Sequence, residues 1–467
     1  MSERLAEYLD AHGAAAALRE IGAEMGATEF VRVRNLDYVP ARYEIYPLAP
    51  RVRPPLERIV AFAVDMDGTS TTTEPLALHA LEYMVRRFTG LLTEEQWAGL
   101  DERLDHPYVI GNSNFRHTEF LVERYRDRLD RAALRQAFFE ALVWTLANME
   151  DPQRRRDVLQ TARMCGLGDV PDDPEVRSLV RGGGVDDRNV GRLVEPIVGR
   201  YGSAFRAEQT SELVSAALDV YYMRYHSILR RMERGEGESL ARELLGEGGR
   251  RLVEPMPGYD VFLALVKGWL GPEADGLFDM LRAAMLDGRD TRHSAGEIDS
   301  FRPRLVRLAE RFRRRPARIA LVTASIAYET HAVMKEVIRV IERRVRDWPV
   351  PSDCRDRLAE RLADYRAVYD GFVCASDACE TRLKPHRDLY SLALYQMSIP
   401  RTQYVRCVGL EDTEPGIIAL RAAGIGCAIA LPNRDTSRQD YRAAVEVIRG
   451  GLPELIVARN LLLNEEG

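Results

Sequence analysis

The spacing of apolar positions changes character along the chain, and each change marks an element. Residues 2–26 have helical spacing broken near Gly13. Residues 29–50 alternate apolar and polar and carry prolines, as short strands do. Together residues 1–57 read as an appended segment packed on a core. Residues 59–64, IVAFAV, form an unbroken apolar run of the length of a buried strand. Asp65, Met66, Asp67 and Gly68 follow, and the glycine turns the chain. From Pro75 to Gly90 the apolar positions Leu76, Leu78, Leu81, Tyr83, Met84 and Phe88 return at helical spacing. A second helix is expected from Thr93, with Glu95 or Gln96 near a capping position. Gly111 and Ser113 mark a break. From Thr118 to about Asp299 nearly every segment is amphipathic helix. From Phe301 short apolar runs alternate with helices: strands at 317–323, 371–377, 404–412 and 426–431, and a last helix from about Gln439. That cadence predicts an α/β fold with a doubly wound parallel sheet. The division expected is 1–57 as the appended segment, 58–80 with 300–467 as the core, and 81–299 as an all-helical insertion.

Composition narrows the classes. The chain is 46% apolar and 30% charged, as soluble globular proteins are. No apolar stretch reaches the roughly 18 residues of a membrane helix. The N-terminus is charged and has no apolar signal core, so a cytoplasmic location is expected. A net charge of −6 gives no general attraction to nucleic acid or to an anionic membrane, and neither is expected as a partner. The six cysteines include no CxxC pair and read as buried free thiols. Only Lys267, Lys335 and Lys384 among the 66 basic residues are lysine. The arginine clusters at 154–156, at 313–315 and at Arg343, Arg344 and Arg346 are interleaved with acids at helical spacing. They read as solvated helix faces. Glycines 182–184 lack a strand-to-helix context and read as a loop. His226 and His293 lack ligand spacing and read as structural.

The strands of the alternating part deliver chemistry to one edge. The first ends in Asp65 and Asp67, which share a side in extended backbone. The second ends in Thr323, and Lys384 follows the third. The fourth ends in Glu411 and Asp412. Ligands bind at that edge in open α/β sheets. The set suits phosphoryl transfer. A carboxylate attacking a phosphate ester brings an anion to an anion and needs a cation. Asp65 and Asp412 offer hard oxygen ligands for Mg²⁺, with the Asp67 main-chain carbonyl as a third and Glu411 through water. Thr323, with the backbone N–H of Ala324, is suited to phosphoryl oxygens, and Lys384 to the charge of the transferring group. Asp67 can protonate the leaving oxygen and then take a proton from water.

At these residues the chain resembles the haloacid dehalogenase superfamily. DMDGT matches its first motif, LVTAS the second, KPHRDLY the third and VGLEDTEPGIIALRAAG the fourth. The last two are similar to the β-phosphoglucomutase and phosphoglycolate-phosphatase-like branch. The resemblance implies a Rossmann-like core with a helical cap inserted after the first motif, here an enlarged one. It implies a Mg²⁺-dependent phosphatase for a small phosphorylated metabolite, acting through an aspartyl-phosphate on Asp65. A phosphomutase of the same branch is the alternative, and a non-catalytic protein that binds partners through the insertion is a third reading. GNSN, residues 111–114, is similar to a cap loop that touches substrate in that branch, which makes Asn114, Arg116 and His117 candidate substrate contacts; Thr73 fits a threonine that the mutase branch uses soon after the first motif and is a further candidate. Ser70 stands where the family has an apolar residue, and Leu383 where it has glycine. The dehalogenating branch lacks the second acid of the first motif, so Asp67 argues against dehalogenation.

Overall fold

The apolar run at 59–64 belongs to a strand that is buried along its whole length. The computed structural model describes residues 9–36, 39–110, 114–246, 251–287, 293–459 and 461–463. It contains β1 (Glu29–Arg34) and β2 (Tyr43–Leu48), then β3 (Ala61–Asp65), β4 (Arg318–Val322), β5 (Gly371–Val373), β6 (Cys407–Glu411), β7 (Cys427–Ala430) and β8 (Glu446–Val447). β1 and β2 pair antiparallel. The other six form one sheet in the order β5-β4-β3-β6-β7-β8, parallel at every pairing. The chain runs from β3 out to β4 and β5, then crosses to β6 on the other side of β3. That reversal makes the carboxyl end of β3 the switch point at which such sheets take ligands.

Helices cover both faces of this sheet, which is why its strands are apolar runs and not alternating ones. Ala61 and Ala63 face a core shared with Leu389, Leu394, Ile417 and Leu420. These come from the helices Asp388–Gln396 and Glu414–Ala422. Phe62 faces the other way, with its ring 5.2 Å from that of Phe262 and 6.1 Å from that of Phe312. Those two lie on the helices Tyr259–Val266 and Arg302–Arg314. The β1–β2 hairpin packs Val33, Tyr46 and Leu48 on Ala422. Arg421, 1% exposed, donates to the Ala49 carbonyl at 2.5 Å and pairs with Glu29 at 2.6 Å. The hairpin is thus packed on the helix Glu414–Ala422.

Contacts divide the chain into two compact units. The first holds Met1–Ser70, Pro255–Ala324 and Ile338–Gly467. The second holds Thr71–Glu254 and Ser325–Val337, and among its described residues there is no strand. Its longest helix, Thr210–Glu233, is buried on most sides. Inside this unit Arg154 and Asp219 form a buried ion pair at 2.5 Å, and His226 meets Glu329 at 3.0 Å. His226 is therefore a satisfied interior histidine. Among the described residues no helix is long and apolar enough to cross a membrane.

Two sequence expectations give way to longer-range bonding. No helix starts at Thr93. The Gln96 side chain does reach back to the Thr93 N–H, at 3.0 Å, but the segment closes as a turn. Glu82 then takes the Leu100 N–H at 2.9 Å, and a side chain from another helix replaces the next helical turn. No helix starts near Gln439 either. The Tyr441 hydroxyl donates to the carbonyls of Thr436 and Asp412, which draws the chain under the sheet edge and into β8. The last helix is Gly451–Val457. Of the GNSN stretch, residues 111–113 lie outside the described residues.

His79, on the helix Glu74–Thr89, accepts hydrogen bonds at Nε2 from Arg224 at 3.2 and 3.1 Å. Burial and the neighbouring Arg224 lower its pKa to about 4. Between the ordinary histidine value near 6.5 and that value, the unfolded chain binds a proton that the folded chain refuses. Stability of the helical unit is thus fully present above pH ~6.5 and declines as pH falls towards 4. NMR titration of the His79 ring should give a midpoint near 4. His79→Gln, which keeps an acceptor for Arg224, should flatten the acid side of the urea-stability profile. A midpoint near 6.5 would refute the assignment.

Candidate active site

Asp65 is the last residue of β3, and its register partner on β4 is Val322. Thr323 therefore stands one residue beyond the strand pair and donates its hydroxyl to Asp67 Oδ2 at 2.8 Å. Its own N–H is held by the Val373 carbonyl at 3.0 Å. Gly68, at φ +83°, supplies the left-handed turn after Asp67. Ser70 is fully buried and donates to the Asp65 carbonyl at 2.6 Å. This polar residue is satisfied inside the turn. Leu383 is buried in the core cluster of the sheet.

Lys384 bonds Asp65 Oδ1 and, at 2.6 Å, Glu411 Oε1. The Tyr390 hydroxyl donates to the same Glu411 oxygen at 2.7 Å. Glu411 Oε2 accepts from the N–H groups of Asp412 and Thr413, both at 3.1 Å, and from the Thr413 hydroxyl at 2.9 Å. A Cβ at Gly416 would lie 1.8 Å from Glu411 Oε1, so the helix Glu414–Ala422 begins with room for this carboxylate. Asp412 accepts from Thr69 at 3.3 Å on Oδ1 and from Asn433 at 2.9 Å on Oδ2.

Six of the sequence-derived residues are thus brought to one sheet edge: Asp65, Asp67, Thr323, Lys384, Glu411 and Asp412. Ala324 ends the Pro255–Ala324 segment of the first unit and packs on the sheet core. Thr73, Asn114, Arg116 and His117 belong to the second unit. There Thr73 and His117 are buried, and the Asn114 amide donates to the Tyr222 hydroxyl at 3.3 Å. Thr69, Tyr390, Asn433 and Tyr441 join the site without having been singled out in the sequence. Tyr390 carried a signal, as the tyrosine of KPHRDLY. Asn433 carried only a position, just past β7 at the same edge.

The electrostatics of the site follow from burial. Asp65 is 4% exposed; burial, with the Glu411 carboxylate, raises its pKa well above the ordinary range against the pull of Lys384. Burial also opposes the charge of Lys384, but the Asp65 and Glu411 carboxylates outweigh it and hold the ammonium above its usual value. The carboxylates of Asp65 and Glu411 thus share the Lys384 ammonium. Oxygens of Asp65, Glu411 and Asp412 lie within 4.8 Å of one another. Hard, anionic oxygen donors with unneutralised charge fit a divalent cation of the Mg²⁺ type. With both its oxygens taken by five donors, Glu411 is fitted to hold Lys384 and the Asp412 turn in place.

No known family model matches the sequence, and no curated protein matches it. Among solved structures the chain is similar to CbbY from Rhodobacter sphaeroides in complex with phosphate, at 14% identity. That alignment covers 84% of this chain and 93% of the other, with a TM-score of 0.36. A mutant of CbbY in complex with xylulose-(1,5)bisphosphate aligns at 15% identity over 87% and 100%, with a TM-score of 0.39. A Thermotoga maritima protein assigned as a beta-phosphoglucomutase aligns at 15% over 85% and 96%, with a TM-score of 0.30. These are loose likenesses, and the chemistry inferred below is drawn from this chain's own side chains.

Proposed function

We propose that the protein is a Mg²⁺-dependent phosphatase of the haloacid dehalogenase type, acting on a small phosphorylated metabolite. The observation that carries this is the meeting of Asp65, Lys384, Glu411 and Asp412 at the carboxyl end of the central strands, with Asp67 beside them under Thr323. A carboxylate cluster of this kind with one buried lysine suits a nucleophile that must approach a phosphate dianion.

In this reading Asp65 attacks phosphorus, and the bond from phosphorus to the leaving oxygen breaks. Lys384 stays protonated and offsets charge on the transferring group. Asp67 gives its proton to the leaving oxygen. It then takes a proton from water, whose oxygen attacks phosphorus and releases the Asp65 carboxylate. Thr323 orients Asp67 through its hydroxyl. When bound between Asp65 and Asp412, Mg²⁺ would supply Lewis-acid neutralisation of the phosphoryl charge and lower the pKa of Asp65. The helical unit, inserted in the chain after the first motif, is the natural source of substrate selectivity, with Thr73, Asn114, Arg116 and His117 as residues to test.

A phosphate-release screen against a metabolite library, with Mg²⁺ and with chelator, tests the proposal. Release with Mg²⁺ on one class of phosphate ester, abolished by chelation, is expected. Isomerisation of a sugar phosphate without free phosphate would turn the reading to a phosphomutase. Absence of any turnover while Mg²⁺ is bound would refute catalysis and favour a binding role.

A further inference from the structure

The edge of the sheet opposite Asp65 also has a built character. A cavity of about 600 Å³ opens there, lined by Arg58, Arg307, Arg311, Arg314 and Arg315. Arg58 and Ile59 lie just ahead of β3, and Arg315 follows the helix Arg302–Arg314 on its way to β4. From Ile59 to Asp65 the strand path is about 20 Å, so the cavity is separate from the carboxylate cluster. Ile59, Phe312 and Leu463 give it an apolar wall, and Glu57 and Glu310 are its acids.

Part of this charge has a structural use. Arginines in the last turn of a helix complement its dipole. Arg311 also donates to the carbonyls of Leu56 at 3.0 Å and Glu57 at 2.6 Å, and Arg314 pairs loosely with Glu310 at 3.8 Å. Neither use accounts for Arg58 and Arg315. They come from different segments, both are exposed, and neither makes an ion pair or a side-chain hydrogen bond among the described residues. Burial and the nearby charge of Arg315 together lower the pKa of Arg311. In a chain with net charge −6 this is a local reversal of sign.

We propose that this cavity is a second ligand site, for a small organic polyphosphate of nucleotide size. Guanidinium groups hold phosphates by paired hydrogen bonds, and Arg58 and Arg315 are without an ion pair or side-chain hydrogen bond among the described residues. The volume suits a small molecule with one flat or apolar part against Ile59, Phe312 and Leu463. A nucleic acid fits less well, because the rest of a net acidic surface repels it. The inference does not depend on the proposed phosphatase activity.

Calorimetric titration of the full chain with ATP and with inorganic tripolyphosphate, without Mg²⁺, tests it. ATP should bind wild type and Asp65→Asn alike, and bind the double variant Arg58→Gln/Arg315→Gln at least about tenfold more weakly. Tripolyphosphate should bind the same site less tightly than ATP. The double variant should melt as wild type does and keep its turnover. Three results would each overturn the proposal: no ATP binding, ATP binding indifferent to the double variant, or tripolyphosphate binding as tightly as ATP.

Discussion

Asp65→Asn is expected to lower turnover of an aryl phosphate by about 10⁴-fold or more, as removal of a covalent nucleophile does. The fold should survive it. The asparagine oxygen still accepts from Lys384, and the substitution removes a charge that burial and Glu411 disfavour. In the absence of divalent cation the variant should melt at the wild-type temperature or above it. Adding Mg²⁺ should then raise the melting temperature of wild type and leave that of Asp65→Asn little changed, because one of the proposed ligands is gone. Undiminished turnover in this variant, measured by phosphate release, would remove Asp65 from the chemistry.

Lys384→Met should cost stability as well as activity. The lysine side chain is 7% exposed and is bonded to both Asp65 and Glu411. Methionine fills a similar space, so the loss is electrostatic and not a cavity. Two buried carboxylates are left without their cation, a defect worth about 3–5 kcal/mol. The urea midpoint should fall accordingly, and excess Mg²⁺ should recover part of it. Turnover should stay lost, because an ion held by Asp65 and Asp412 would not replace the Lys384 ammonium bonded to Asp65 and Glu411. A stable variant with a wild-type midpoint would show that Lys384 does not bear the charge of this cluster.

The parts of the fold and site that the sequence revealed are the parts with local causes. The run 59–64 is apolar on both sides because helices cover both faces of the sheet, and that leaves a readable trace. Asp65, Lys384 and Asp412 are legible because each stands at a strand end or in a short motif with fixed spacing. Asn433 and Tyr441 are not, because their bonds to Asp412 span 21 and 29 positions and leave no periodic mark. The turn at Thr93 misleads for a related reason. Its Gln96 makes the cap-like contact that opens a helix, but Glu82 from another helix takes the next N–H group. Glu411 stands at a strand end, but the saturation of its two oxygens by Lys384, Tyr390, Thr413 and two backbone N–H groups depends on packing around Gly416. The arginines at 313–315 read as a solvated face, and most of their charge is used so. What periodicity cannot show is that Arg58 arrives beside them from another segment.

The central claim is that Asp65 carries the phosphoryl group, and trapping that group tests it most directly. Asp67→Asn should still be phosphorylated by an aryl phosphate, whose leaving group needs no proton, but should hydrolyse the adduct slowly for want of a base. After acid quench, peptide mapping by mass spectrometry should find one phosphoryl group on the peptide bearing Asp65. The group should be released by hydroxylamine and be absent when Asp65→Asn is added. Phosphate release with that peptide unmodified throughout, or a phosphoryl group on another residue, would contradict the claim.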